Sequence, residues 1–376
     1  MNVVNKFKLR LYFFYIRYMQ NFKFLMFVFH LTVVECDLFK IRLYISNRYN
    51  KILRINACKL SCNKSRLIKT DQRGILMDKE NVKQDFVQIV TADGTQENAN
   101  SKREEKIVSK LPIVFIHLNN SDYLKYSLGQ SKKSNPESTV YLIGDSSNNC
   151  YDFVEHHSLS EYSNAADDFA KIYKHYSSNA IKFELYCFQR WFVLKEFLIS
   201  NKLEKCLYLD SDVMLYVDVT EEQVKFEQYD FTLCHMSSGG TFFLNRIDAL
   251  ESFCQFLMDV YKKKDRYNYD KMVAHFMVRR KNSLRGGVCD MTAFELYNFS
   301  HLGVAGEMIQ IIDGSVYDSN INRPYPGFEM SNEIKKITWK NDLPYGTHVR
   351  TGCEVKFNTL HFQGKAKSLM KQFYTQ

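Results

Sequence analysis

Residues 205–214 read KCLYLDSDVM. Cys206, Leu207, Tyr208 and Leu209 make a short apolar run that stops at Asp210-Ser211-Asp212. A short apolar run bounded by polar residues predicts a buried strand. Two carboxylates separated by one small residue at its carboxyl end then need a reason. In extended backbone, positions i and i+2 point the same way. At a strand-to-loop turn the two carboxylates can converge on one hard divalent cation, Mg²⁺ or Mn²⁺, which would bridge to a diphosphate and neutralise it. Ser211 is too small to crowd them. A D-x-D triplet alone is a weak signal, but this one closes an apolar strand that follows a helix.

That helix is read from Phe183, Tyr186, Cys187, Arg190, Trp191, Leu194 and Leu198, which recur at threes and fours. The pattern predicts an amphipathic helix with Arg190 on or beside its apolar face. A buried arginine must be paired. Its partner is either an internal carboxylate or a bound phosphate or base. Further upstream, PIVFIHL (112–118) and STVYLIGD (138–145) read as buried strands. The helical spacing between them starts after Ser121, a candidate cap. Strand, helix, strand predicts a βαβ unit and a parallel sheet. Ligands of such sheets sit beyond the carboxyl ends of the strands, where Asn119, Asn120 and Asp145 stand. No GxGxxG and no Walker A sequence occurs, so neither a dinucleotide nor a P-loop fingerprint is present.

Downstream, KFNTLHFQGKAKSLM (356–370) opens with strand-like alternation. His361 ends it, and Gly364, Lys365 and Lys367 follow. Imidazole suits Mn²⁺, and two lysines at a glycine turn suit phosphate oxygens. Gly239-Gly240 and Asp290 each carry two readings: a tight turn or a site for the former, a helix N-cap or a site for the latter.

Arg190 on its helix, YLDSD, a small-residue strand and a terminal HFxGxxK occur in the order that resembles family 8 glycosyltransferases of the GT-A fold. This is the group of glycogenin and the bacterial lipopolysaccharide galactosyltransferases. The resemblance runs from about Leu111 to Leu369. It implies an α/β fold with a mostly parallel central sheet flanked by helices. It also implies Mn²⁺ or Mg²⁺ held by Asp210, Asp212 and His361, and a diphosphate held at Gly364 and Lys367. Arg190 would contact the donor nucleotide. Ser211 and Lys365 join the expected diphosphate set, and with the UDP donor that the resemblance implies, Asn119 and Asp145 would hold uridine. Gly239 and Gly240 match the family's Asn-Ser-Gly loosely, without its Asn. Asp290 matches the first residue of its Asp-Gln pair, with Met291 in place of Gln. Asp290, with the two glycines, is the expected catalytic set that positions sugar or acceptor hydroxyl. The implied activity is a retaining hexosyl transfer from a UDP-sugar to a glycan or other hydroxyl acceptor, in polysaccharide biosynthesis. Two alternatives stay open: a metal-dependent nucleotidyltransferase and a non-catalytic GT-A-like binding protein.

Composition bounds the rest. The chain has 376 residues, ten cysteines and only 15 Gly and 5 Pro. That is enough for one large or two modest globular domains. The cysteines include no CxxC, and the expectation is free thiols in a reducing cytoplasm. The net charge of +9 is uneven: residues 1–110 carry 21 Lys and Arg against 10 Asp and Glu, which leaves 30 against 32 for the rest. The body is therefore not basic, and no nucleic-acid partner is expected. Residues 1–76 read as a basic aromatic extension, either poorly ordered, an extra structured element, or a segment touching the inner face of a membrane. Its longest apolar run is too short to span one. Residues 77–110 read as a polar linker, and 111–376 as the transferase domain.

Overall fold

The structure is a computed structural model that describes residues 110–375. The readings of residues 1–76 and of nearly all of the linker lie outside the described residues. The chain order is β1 (Ile113–Ile116), α1 (Leu124–Ser134), β2 (Val140–Gly144), β3 (Glu155–Ser158), α2 (Asn164–Ile172) and α3 (Ile181–Ser200). Then come β4 (Cys206–Leu209), β5 (Val213–Leu215), α4 (Val219–Gln223), β6 (Phe231–Leu233), β7 (Thr241–Leu244), α5 (Ile247–Tyr261), α6 (Arg266–Lys281) and α7 (Asp290–Ser300). The C-terminal part runs β8 (Ala305–Glu307), β9 (Ser315–Tyr317), β10 (Met330–Ser331), β11 (Ile334–Lys335), β12 (Thr338–Lys340), β13 (Leu343–Thr347), β14 (Glu354–His361) and α8 (Met370–Phe373).

The fold is α/β. Its main sheet has the order β3-β2-β1-β4-β7-β6-β8, so KCLYL forms the central strand. Pairings β1–β2, β2–β3, β1–β4 and β6–β8 are parallel, and β7 runs antiparallel to both neighbours. The βαβ unit forms as its apolar runs predict. Central strands buried on both faces need continuous apolar residues. Val114 and Ile116 of β1 face one core with Phe188, Trp191 and Phe253, whereas Ile113 and Phe115 face the other with Leu124, Leu128 and Phe243.

A second sheet, β12-β13-β14-β5, with β9 added alongside β14, packs over its own apolar cluster of Met214, Phe328, Phe357 and Met370. FNTLHF belongs to its longest strand, β14. The chain passes from the first sheet to the second at Asp210–Asp212, because β4 and β5 belong to different sheets. A turn makes the passage: the Val213 N–H donates to the Asp210 carbonyl at 3.0 Å. A turn, rather than strand alternation, therefore sets the direction of the two carboxylates.

Two local expectations are corrected. Ser121 does not cap α1: the N-cap is Tyr123, without a side-chain bond, and the Ser121 Oγ pairs with His117 Nε2 at 3.1 Å. Phe183 does not face the core, being 60% exposed. The first turn of α3 lines a cleft instead, and the buried face of the helix takes over from Phe188 onward. Among the described residues no helix is long and apolar enough to cross a membrane, and the described cysteines are all free.

Candidate active site

The cleft holds about 920 Å³ and opens at the carboxyl ends of β1 and β4. At its centre Asp210, Asp212 and His361 bring one ligand atom each within 4.8 Å of one another. His361 Nε2 lies 3.2 Å from one Asp212 oxygen, and Lys367 Nζ lies 3.1 Å from the other. β14 delivers His361 by pairing antiparallel with β5, with His361 opposite Val213. The Phe362 N–H donates to the Asp212 carbonyl at 2.8 Å, which ties the two strands together at the turn.

These charges set each other's protonation. Burial would push the Asp212 carboxyl up, but the His361 imidazole and the Lys367 ammonium outweigh it and hold it at about 2. Burial pushes His361 down, yet the Asp212 carboxylate beside it raises it above its ordinary value. Lys367 is raised likewise: burial lowers it and Asp212 more than compensates.

Asp210 belongs to a different network. One of its oxygens accepts from Arg190 and from the Tyr208 hydroxyl, the latter at 2.9 Å. Arg190 Nη2 also donates to Asp290 at 2.5 Å, and Trp191 Nε1 reaches the same oxygen at 3.1 Å. Of the two partners open for Arg190, the structure thus supplies internal carboxylates. Its guanidinium is held above its ordinary range: burial opposes this, and Asp210, with Tyr208 and Asp290, outweighs burial. Asp290 is not the N-cap of α7, a position taken by Cys289; it is the first helical residue. Its other oxygen accepts the Met291 N–H at 2.9 Å, so the carboxylate is taken up by three donors.

The two glycines are required for close approach, since neither has a positive φ. A Cβ on Gly239 would lie 2.4 Å from the Trp191 ring. One on Gly240 would lie 2.8 Å from His361 Cε1 and 3.1 Å from Asp210 Oδ2. The left-handed residues of this loop are His235 and Met236. Gly364 does need its freedom, with φ +61.

The other expected residues are divided. Asn119, Ser211, Gly364 and Lys367 line the cleft. Lys365 does not: it is exposed, at the start of the 3₁₀ turn Gly364–Leu369. Asp145 is not in the lining either. The Ser147 hydroxyl donates to it and it accepts the Asn119 N–H at 2.6 Å, bonds that keep its carboxyl below the usual range. It braces the β1 loop from behind. Sequence reading missed His117 and Tyr123, which also line the cleft. Lys367 sits 5.0 Å from the Tyr123 ring centroid, and His117 packs edge-on against that ring. Burial, and then Lys367, push the His117 imidazole down. The available signal was position: His117 is the first polar residue after β1.

The donor set fits a divalent cation. It comprises two carboxylates, which suit hard divalent cations, and an imidazole, a common ligand of transition metals. Asp210 keeps one oxygen clear of its Arg190 and Tyr208 bonds, and the wall opposite is a glycine that admits no Cβ. Only neutral imidazole ligates a metal, so loading exchanges a proton for the ion.

No family model and no curated protein sequence matches the chain. Solved structures that resemble it include a glycosyltransferase involved in the glycosylation of the major capsid of PBCV-1, at 11% identity over 70% of this chain and 100% of that one, TM-score 0.35. The glycosyltransferase GlyE of Streptococcus pneumoniae TIGR4 aligns at 13% identity over 54% of this chain and 45% of that one, TM-score 0.27. The WbbM bifunctional glycosyltransferase aligns at 10% identity over 68% and 46%, TM-score 0.37. The match thus spans less than half of the latter two chains. At this distance the chemistry of the site has to be read from its own side chains.

Proposed function

We propose that the chain is a metal-dependent glycosyltransferase that moves a sugar from a nucleoside diphosphate donor, UDP-linked, to a hydroxyl of a glycan acceptor. One observation carries the reading. Asp210 and Asp212 meet His361, about 150 residues further along the chain, beside Lys367 at the carboxyl end of β4. Asp210, Asp212 and His361 would hold Mn²⁺ or Mg²⁺, and that ion would supply Lewis-acid stabilisation of the departing diphosphate. Lys367 adds a fixed positive charge where negative charge develops in the transition state. Gly364 and Ser211 border the same part of the cleft, and Asn119, His117 and Tyr123 border the nucleoside end.

Arg190 and Asp290 line another wall of the cleft, with the buried Trp191 behind Asp290. A carboxylate engaged by three donors suits a positioning role better than that of a general base, which needs an oxygen within reach of the proton it takes. Asp290 therefore holds Arg190 against Asp210, which suits a retaining outcome. Beyond this wall the lining turns apolar at Phe183 and Met291, a surface for the acceptor.

The test is turnover of a panel of nucleotide sugars with and without Mn²⁺. Turnover of one diphosphate sugar only in the presence of metal is expected. Release of pyrophosphate from a nucleoside triphosphate with a sugar phosphate would instead identify a nucleotidyltransferase. Nucleotide binding without turnover of any donor, acceptors included, would leave a binding protein.

A further inference from the structure

We infer that the buried pair Lys335–Asp318 positions His361 for the cation, so that a hairpin remote from the D-S-D turn sets the affinity of the metal site. This rests on the metal-site reading above.

Both side chains are 0% exposed, and Lys335 Nζ lies 2.7 Å from Asp318 Oδ1. The same ammonium donates to the Asn320 carbonyl at 2.7 Å, and the Lys335 N–H donates to the Ile321 carbonyl at 2.8 Å. Lys335 thus holds the segment 318–321 from three directions. That segment in turn holds His361. Asp318 Oδ2 accepts the His361 N–H at 3.0 Å, and the Ile321 N–H donates to the His361 carbonyl at 2.9 Å. Asn320 and Asn322 continue the grip one turn on, at the Gln363 side chain and carbonyl, at 2.6 and 2.9 Å. The chain then leaves for Gly364 and Lys367.

A fully buried ion pair is a poor stability device. Replacing one by apolar residues is often neutral or stabilising, because desolvation offsets the attraction. Asp318, however, spends its second oxygen on the backbone of a metal ligand, a task that an apolar residue cannot perform. Partners that orient a metal ligand from behind typically contribute 10–100-fold in metal affinity.

The decisive variant is the double replacement Asp318→Leu/Lys335→Met, which removes both charges together. Mn²⁺ affinity is read by the EPR signal of free ion, and stability by melting without metal. The expectation is a metal-free melting temperature equal to or above wild type, with a dissociation constant raised about 10–100-fold. Unchanged Mn²⁺ affinity overturns the inference, whether or not the melting temperature falls. Should the variant not fold, hydrogen exchange on the wild type decides. Coupling is reciprocal, so saturating Mn²⁺ must slow exchange of the Lys335 and Ile321 amides as well as that of His361; unchanged protection at Lys335 overturns it. A wild type that binds no Mn²⁺ fails the metal-site reading itself, whereas a wild type that binds and a double variant that binds equally fail only this inference.

Discussion

The two sheets contribute to the cleft in different ways. In the seven-stranded sheet, β4 pairs with β1 and β7, and its carboxylate Asp210 is met by Arg190, twenty residues upstream on the preceding helix. In the second sheet, β5 pairs with β14, which belongs to the end of the chain. Its carboxylate Asp212 is met by His361 and Lys367 from that distant segment. The D-S-D turn is the seam between the two, and each aspartate is neutralised by its own sheet. A cation site placed on such a seam depends on both sheets being correctly placed. The first is held mainly by apolar packing around Trp191, while beside the second a fully buried ion pair ties the β10–β11 hairpin to the end of β9.

Several substitutions would break or sharpen this contrast. The largest effect belongs to Lys335→Met alone. It leaves Asp318 charged, buried and unpaired, a situation that costs about 3–5 kcal/mol. Chemical denaturation should show the loss, and a change below about 1 kcal/mol would mean that the second sheet does not depend on the pair.

Next is Asp212→Asn, which removes the charge on the second sheet's side of the seam. Sugar transfer should fall about 10²–10³-fold, the scale of losing one electrostatic stabiliser. A bare D-S-D turn would repel itself and gain stability on losing a charge. Here Asp212 is paired, so the variant leaves His361 and Lys367 without their anion, and its metal-free melting temperature should drop. Melting with and without Mn²⁺ checks both parts: the metal-induced rise seen in the wild type should shrink. Near-wild-type transfer would reduce the D-S-D turn to a polar loop.

Gly240→Ala tests the seam by sterics alone. Its methyl would sit 2.8 Å from His361 and 3.1 Å from Asp210 Oδ2. Overpacking of this kind costs about 1–3 kcal/mol, and Mn²⁺ affinity should fall with it. Isothermal titration alongside denaturation would show whether the two losses travel together. The smallest effect is expected for Lys340→Ala, which breaks the Lys340–Glu354 pair at the surface of the second sheet, 51% and 45% exposed. Exposed pairs contribute about 0.2–1 kcal/mol. A loss as large as that of Lys335→Met would remove the distinction between the buried and the surface pair.

Most of the first sheet was legible in the sequence. PIVFIHL, STVYLIGD and KCLYL are apolar on successive residues because both faces of a central strand are buried. Their spacing left room for one helix between the first two. The three candidate ligands Asp210, Asp212 and His361 were legible as residue types at strand ends. The details that failed are local: Ser121 turned to His117 instead of capping a helix, and Phe183 kept the helical period while its turn lay over the cleft. Lys365 and Lys367 were indistinguishable by composition, and the 3₁₀ turn between them sends only Lys367 inward.

By itself, then, the sequence determined an α/β fold with a parallel core and a central strand ending in D-S-D. These features follow from local apolar patterning, which needs no knowledge of distant residues. Only the tertiary structure decided how the charges pair: Arg190 with Asp210 and Asp290, Asp212 with His361 and Lys367, Lys335 with Asp318. Charged residues carry no periodicity that names a partner. Lys335, in the stretch NEIKKI, reads as part of a solvated hairpin until the fold buries it against Asp318. Electrostatic attraction acts between whichever groups the fold brings within a few ångströms, and in a low-dielectric interior that proximity decides protonation, orientation and metal affinity together.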